Sequence, residues 1–211
     1  MSEIVIIDYG MGNLRSVEKA LQRVAPLQSI KVTSDPDLIK VAERVVFPGQ
    51  GAMPDCMREL KRLNLIDVLM EAAKNKPFLG ICLGLQMLFE FSEEGDSFAL
   101  GFFKGEVKRF SETQLFDKEG NRLKVPHMGW NQVEQSTFHP LWKSIPNYSR
   151  FYFVHSYYVR EKEPIVCGLT HYPDAFTSAV ARDNLFAVQF HPEKSATAGL
   201  TLLENFVQWK P

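Results

Sequence analysis

The chain has 211 residues, long enough to bury a substantial core in one or two domains. Its 24 basic and 25 acidic residues leave a net charge of −1, which argues against nucleic acid or another polyanion as a partner. No apolar run approaches the roughly 18–20 residues that a membrane span requires, and no signal peptide is recognisable, so we expect no membrane association. The three cysteines form no pairing set, which suits a reducing cytoplasm.

The first half of the chain alternates short apolar runs with segments of helical periodicity. These runs predict buried strands at residues 4–9, 29–33, 44–47 and 77–81. Apolar residues that recur at three and four positions predict helices at residues 17–24, 35–41, 57–63 and 66–73. This order predicts a doubly wound parallel sheet, in which ligands bind beyond the carboxyl ends of the strands.

The segment Gly80-Ile-Cys-Leu-Gly84 lies where the fourth strand meets a helix predicted for residues 83–89. It has the pattern of a nucleophile elbow, with the sulfur of Cys82 in place of a hydroxyl. Both glycines suit so sharp a turn because they carry no β-carbon. A thiolate at the helix N-terminus is favoured by the dipole, and the N–H of Leu83 is placed to hold an oxyanion. The alternative is a buried structural cysteine.

From residue 105 onward the pattern changes to short β-rich pieces separated by Pro and Gly, which favours antiparallel hairpins. These pieces lie at residues 106–110, 122–125, 131–134 and 151–155. Further strands are predicted at residues 165–169, 177–181 and 185–190, and a closing helix at residues 201–209. We therefore expect one α/β domain over residues 1–211. Its sheet is mostly parallel, open and flanked by helices, with an antiparallel hairpin portion in the second half.

A cysteine nucleophile needs a base, and that base needs a group that holds its tautomer. His191 follows the predicted strand at residues 185–190 and stands two residues before Glu193. In an extended chain residues i and i+2 project to the same side, so one imidazole nitrogen can face Cys82 while the other donates to the carboxylate. The histidines interpreted as ordinary polar loop or turn residues are His127, His139 and His171. The order nucleophile, His, acid differs from that of the usual α/β-hydrolases.

Three motifs together resemble class I glutamine amidotransferases with a Cys-His-Glu triad, a flavodoxin-like family. They are Pro48-Gly-Gln-Gly51, Gly80-Ile-Cys-Leu-Gly-Leu-Gln86 and Gln189-Phe-His-Pro-Glu193. Further segments are similar to the glutaminase subunits of imidazole glycerol phosphate synthases, from histidine biosynthesis. These segments lie at residues 6–17, 126–131, 153–157 and 190–195. One departure is Gln50, where many members of the family carry a small apolar residue, although a role for its backbone N–H is unaffected.

The resemblance implies that Cys82 attacks the side-chain amide of glutamine, while His191, oriented by Glu193, moves the proton. It implies an oxyanion hole formed by the Leu83 N–H and the peptide between Gly49 and Gln50. The residues that it places around the glutamine are Gly51, Gln86, Glu94, Ser156 and Tyr157. It implies neither a metal nor another cofactor.

In this family the ammonia passes through a tunnel to a separate (β/α)8 cyclase subunit. That subunit joins it to a ribulosyl intermediate, giving imidazole glycerol phosphate and an aminoimidazole carboxamide ribotide. The resemblance therefore implies a heterodimer. We expect the interface to include residues in loops near the triad, namely Asn13, Trp130, Tyr152 and Lys194.

Other interpretations remain open at this point. A stand-alone γ-glutamyl hydrolase would need no partner, and an inactive scaffold would have lost the triad residues. A relative that feeds ammonia to a different synthase, for example one that amidates a surface sugar, is not separated from the histidine enzyme by any residue in the chain.

Overall fold

The computed structural model describes residues 3–111, 116 and 120–211. Its strands, in chain order, are β1 Glu3–Ile7, β2 Ser29–Thr33, β3 Arg44–Gly49, β4 Phe78–Cys82, β5 Phe91–Ser92, β6 Ser97–Phe98, β7 Gly105–Arg109, β8 His127–Gln132, β9 Glu134–Gln135, β10 Arg150–His155, β11 Tyr157–Glu161, β12 Val166–His171, β13 Ala175–Arg182 and β14 Leu185–Val188. The α-helices are α1 Leu14–Val24, α2 Pro36–Val41, α3 Met53–Arg62, α4 Ile66–Asn75, α5 Leu83–Gln86 and α6 Ala196–Gln208. Short 3₁₀ turns span Pro140–Trp142 and Pro192–Lys194.

In the described part of the chain, most strands join one twelve-stranded sheet. Its order is β2-β1-β3-β4-β14-β13-β11-β7-β5-β6, with β12 pairing with both β13 and β9. The strands from β2 to β14 in this order are parallel, and β13 begins a largely antiparallel part. Strands β8 and β10 form a separate antiparallel pair. The mostly parallel open sheet with an antiparallel portion, predicted from the sequence, is confirmed.

The parallel strands are buried on both faces because each face packs against helices. On one face, Ile4 and Ile6 of β1 share a core with Leu21 of α1 and Leu202 and Phe206 of α6. On the other face, alternate residues such as Val5 and Ile7 pack with residues of α2, α3 and α4. The side-chain alternation along each strand thus supplies two apolar layers, as expected of a doubly wound sheet. Within the described ranges, no helix is long and apolar enough to cross a bilayer.

Several predicted boundaries in the second half are wrong. No strand forms at residues 122–125, where the backbone N–H and C=O of Lys124 bond instead to the Tyr172 hydroxyl. The strand expected at residues 131–134 begins earlier, as β8, and breaks at Val133, whose N–H donates to Ser149. Strand β11 was not predicted because its mixed polar sequence lacks an apolar run. Helix α6 begins at Ala196 rather than at residue 201. Its first turn consists mostly of small residues, so the apolar stripe that predicts a helix becomes recognisable only later in the sequence.

Candidate active site

Cys82 lies at the tip of a sharp turn between β4 and α5. Its backbone has φ 56° and ψ −111°, an uncommon conformation for a residue other than glycine. A β-carbon on Gly84 would overlap the Phe47 carbonyl of neighbouring β3, and one on Gly80 would lie 2.9 Å from the Ala187 β-carbon. The two glycines therefore let the turn pass close to both adjacent strands. This is the strained strand-to-helix turn that a nucleophile elbow requires, and it places Cys82 in the wall of a cavity.

His191 reaches the same region from the neighbouring strand. Strand β14 runs parallel to β4, with Val188 opposite Ile81, so both residues follow the carboxyl ends of adjacent strands. The His191 N–H donates to the Tyr152 carbonyl at 2.9 Å, and the Ser195 hydroxyl donates to the His191 carbonyl at 2.6 Å. Cys82 and His191 both line one cavity of about 420 Å³.

Glu193 holds the far side of the imidazole. Its Oε1 lies 2.9 Å from Nδ1 of His191, and the two side chains are only 1% and 2% exposed. The extended segment predicted here is wrong, because Glu193 lies in the 3₁₀ turn that follows His191. The contact forms nevertheless, because His191 itself is extended and the turn begins directly after it. Among the described residues, the buried Nε2 of His191 has no hydrogen-bond partner.

The charges around His191 favour its protonated form. Burial opposes protonation, but the interactions with Cys82 and then with Glu193 outweigh burial and raise the pKa of His191. A buried imidazolium beside the Glu193 carboxylate is suited to delivering a proton to a leaving group in the cavity.

The loop that follows β3 lies beside the sulfur. Gly49 is opposite Cys82 in the β3–β4 register, and Gln50 and Leu83 line the cavity. The Tyr9 hydroxyl donates to the Pro48 carbonyl at 2.9 Å, and the Cys56 thiol donates to the Gln50 carbonyl at 3.4 Å. Burial raises the pKa of Cys56 to about 11, so this thiol stays a donor at neutral pH. Two buried side chains, those of Tyr9 and Cys56, therefore hold the backbone of the proposed oxyanion loop.

The residues expected around the glutamine all line the cavity, namely Gly51, Gln86, Glu94, Ser156 and Tyr157. Glu94 accepts the Met53 N–H at 2.8 Å, which orients its carboxylate at the start of α3. Burial raises the pKa of this carboxyl, although the Met53 hydrogen bond opposes the shift. Gln86 is almost fully buried, and its amide donates to the Tyr157 carbonyl at 2.9 Å. Their roles in binding remain predictions.

His155, which no sequence motif marks as a site residue, also lines this cavity. Its Nδ1 lies 2.8 Å from the Tyr157 carbonyl, which can only accept, so the proton is on Nδ1. The Nε2 of His155 then accepts from Nδ1 of His127 at 3.0 Å. Burial lowers the pKa of His155 to about 3 and that of His127 to about 4. The interpretation of His127 as a polar turn residue is therefore wrong: it is a buried strand residue in this pair.

Three of the expected interface residues form one group at the edge of the cavity. Trp130 is 50% exposed and meets the Tyr152 ring edge-on at 6.2 Å between centroids. The Lys194 ammonium lies 6.0 Å from the Tyr152 ring and also lines the cavity. The expectation that these residues lie in loops is wrong for two of them, since Trp130 and Tyr152 are paired across β8 and β10. The fourth expected interface residue, Asn13, is the N-cap residue of α1.

Comparison with known proteins identifies the family. Residues 5–209 match the model of the family described as glutamine amidotransferase class-I. The chain is 64% identical over 211 residues to the imidazole glycerol phosphate synthase subunit HisH of Nitrosospira multiformis, with 100% of both chains covered. It is 59% identical to the HisH of Thiobacillus denitrificans, over 99% of this chain and 92% of that one.

Solved structures agree with this at the level of the fold. A crystal structure of a glutamine amidotransferase superposes with a TM-score of 0.71 at 16% identity, over 97% of each chain. The structure of PurLQS from Thermotoga maritima superposes with a TM-score of 0.70 at 16% identity, over 98% of each chain. The chain is therefore an enzyme of the class I glutamine amidotransferase family, and it belongs with the HisH subunits of imidazole glycerol phosphate synthase.

Proposed function

We propose that this chain hydrolyses L-glutamine to glutamate and ammonia and delivers the ammonia to a cyclase subunit. The observation that carries the proposal is that Cys82 and His191 line the same cavity. Cys82 lies at a strained elbow, and Glu193 contacts the His191 imidazole. The cavity volume of about 420 Å³ accommodates a small amino acid.

In the proposed mechanism, the Cys82 sulfur attacks the side-chain amide carbon of glutamine. His191 holds the proton from the thiol and delivers it to the leaving nitrogen, which departs as ammonia. Water then adds to the thioester, with His191 as the base, and releases glutamate and the free thiol. The Leu83 N–H and the peptide between Gly49 and Gln50 stabilise the oxyanion in both steps, and one such donor typically contributes roughly 3–4 kcal/mol to barrier lowering.

The substrate pocket follows from the lining of the cavity. We propose that Glu94 and Gln86 recognise the α-amino group and that Ser156 and Tyr157 line the side that faces the carboxylate. Gly51 adjoins them in a left-handed conformation, with φ +99°, that lets its loop turn beside the substrate.

We further propose that the partner is the (β/α)8 cyclase subunit of imidazole glycerol phosphate synthase, which makes imidazole glycerol phosphate and the aminoimidazole carboxamide ribotide in histidine biosynthesis. The high identity to HisH subunits supports this partner. Trp130, Tyr152, Lys194 and Asn13 are the proposed contact residues. The three free cysteines, all buried, suit the reducing cytoplasm in which we expect the complex to work.

The test is a glutaminase assay of the chain alone, with the cognate cyclase, and with the cyclase and its ribulosyl ligand. We expect a low rate for the isolated chain and a strong rise in the liganded complex. High turnover without any partner would favour a stand-alone γ-glutamyl hydrolase. Stimulation by a different synthase, but not by the cyclase, would assign the ammonia to another product.

A further inference from the structure

Gln189 lies against the nucleophile at the end of β14. Its side chain is 0% exposed, and its Nε2 lies 3.7 Å from the Cys82 sulfur, within hydrogen-bond range for a sulfur acceptor. Its backbone N–H donates to the Ser178 carbonyl at 2.9 Å, so the residue is anchored beside β13. A fully buried amide next to a reactive sulfur is costly unless its polar atoms are satisfied. The Cys82 sulfur is the partner within reach of the Gln189 amide nitrogen.

Gln86 determines which end of the Gln189 amide faces the sulfur. The Gln86 Nε2 donates to the Gln189 Oε1 at 3.0 Å, and an amide nitrogen cannot accept. The Gln189 oxygen must therefore point toward Gln86, which leaves its N–H group for Cys82.

Gln86 is held in turn by the Tyr157 carbonyl, to which it donates at 2.9 Å. The same carbonyl accepts from Nδ1 of His155 at 2.8 Å. A carbonyl can only accept, so the Gln86 amide nitrogen must face Tyr157, and its second N–H then faces the Gln189 oxygen. The direction of the whole series is therefore determined. The series ends at the sulfur of Cys82.

We propose that Gln189 is a positioning residue for the nucleophile: its side-chain N–H donates to the Cys82 sulfur, stabilises the thiolate and keeps it directed into the cavity. The proposal rests on the proposed function, in which Cys82 is the nucleophile. Gln189 supports the thiolate from the side of β14. It donates no proton in any step and acts through Cys82 alone.

The test is Gln189→Met, which keeps the length of the side chain and removes the N–H donor. Cys82 alkylation by iodoacetamide in the full chain is followed at neutral pH by mass spectrometry of the peptide that contains it. We expect alkylation about tenfold slower than in the wild type, the effect of losing one hydrogen bond to a charged group. In the complex with the cyclase, the glutaminase kcat falls by a similar factor and KM changes little. The control is Gln208→Met on the exposed end of α6, which leaves both rates unchanged.

A second variant covers a failure of the first to fold. Gln189→Glu has the same shape but places a carboxylate against the sulfur, so we expect alkylation to slow by more than tenfold at neutral pH. A thermal unfolding midpoint near that of the wild type shows that either variant is folded. Alkylation at the wild-type rate in a folded variant overturns the proposal. Alkylation needs neither glutamine nor a partner, so this result is separate from the outcome of the glutaminase assay.

Discussion

At the scale of single residues, the proposed transfer of a proton from His191 to the leaving nitrogen depends on the contact between His191 and Glu193. The two groups lie 2.9 Å apart in a site that is closed to solvent on their side. Because Cys82 and then Glu193 raise the pKa of His191, removal of the Glu193 charge lowers it. In the proposed mechanism the imidazolium is the form that protonates the leaving nitrogen. The alkaline limit of activity therefore depends on the charge of Glu193.

Glu193→Gln tests this dependence. With the carboxylate gone, we expect the glutaminase kcat in the complex to fall on the order of 100-fold. We also expect the alkaline limb of the pH–rate profile to move to lower pH, because His191 loses its proton earlier as pH rises. Glu204→Gln, an exposed change on α6, serves as the control and leaves the profile in place. An unmoved alkaline limb in Glu193→Gln contradicts the role assigned to this carboxylate.

At the scale of elements, the elbow depends on how closely α5 approaches β3. A β-carbon on Gly84 would overlap the Phe47 carbonyl, which is fixed within the parallel sheet. Backbone cannot yield as the end of a side chain can, so the turn must shift and move Cys82 with it.

Gly84→Ala should therefore lower the free energy of unfolding by about 3 kcal/mol or more and abolish glutaminase activity. The matched control is Gly101→Ala, where nothing lies within 4 Å of the added carbon but φ is +67°. That change should cost only roughly 1–2 kcal/mol of backbone strain and leave activity near the wild-type value. Denaturant unfolding measures both. Equal losses of stability in the two variants would mean that the close approach to Phe47 is unimportant.

The elements that the sequence predicts well are the ones with a clear apolar period. β1, β3 and β4 are continuous apolar runs, and α3 and α4 carry regular apolar stripes, so their places in the doubly wound sheet follow from the chain alone. The predicted start of strand β8, residue 131, is too far along the chain. The strand exposes its apolar residues, Met128 and Trp130, so it lacks the pattern of a buried strand. Its partner is β10, and such long-range pairing leaves no local signal.

The site divides in the same way. Cys82, His191 and Glu193 stand in short motifs whose spacing already indicates their chemistry, whereas the position of Gln189 against the sulfur depends on the pairing of β14 with β4. In the sequence, Gln189 is the one polar residue in the apolar run Phe186-Ala-Val-Gln-Phe190, a pattern that indicates a buried and hydrogen-bonded side chain. For His155 the signal was weaker, because nothing local distinguishes a buried histidine from a surface one.

At the scale of the whole molecule, the catalytic turn and the proposed docking face are continuous. The Tyr152 carbonyl accepts from the His191 N–H, and the Tyr152 N–H donates to the Ser195 hydroxyl at 2.9 Å. The ring of the same residue contacts Trp130 on the exposed side and faces Lys194 at the cavity. A partner that moves β8 or β10 therefore acts on the backbone that carries His191. The proposed docking face is thus one residue, Tyr152, away from the proposed catalytic base.

The division of labour between this chain and the cyclase is tested most directly with Cys82→Ala in the assembled complex. Formation of imidazole glycerol phosphate is measured once with glutamine and once with an ammonium salt as the nitrogen source. We expect the glutamine-dependent rate to vanish and the ammonium-dependent rate to stay at the wild-type level. Persistence of the glutamine-dependent rate, or loss of both rates together in a folded complex, would contradict the account.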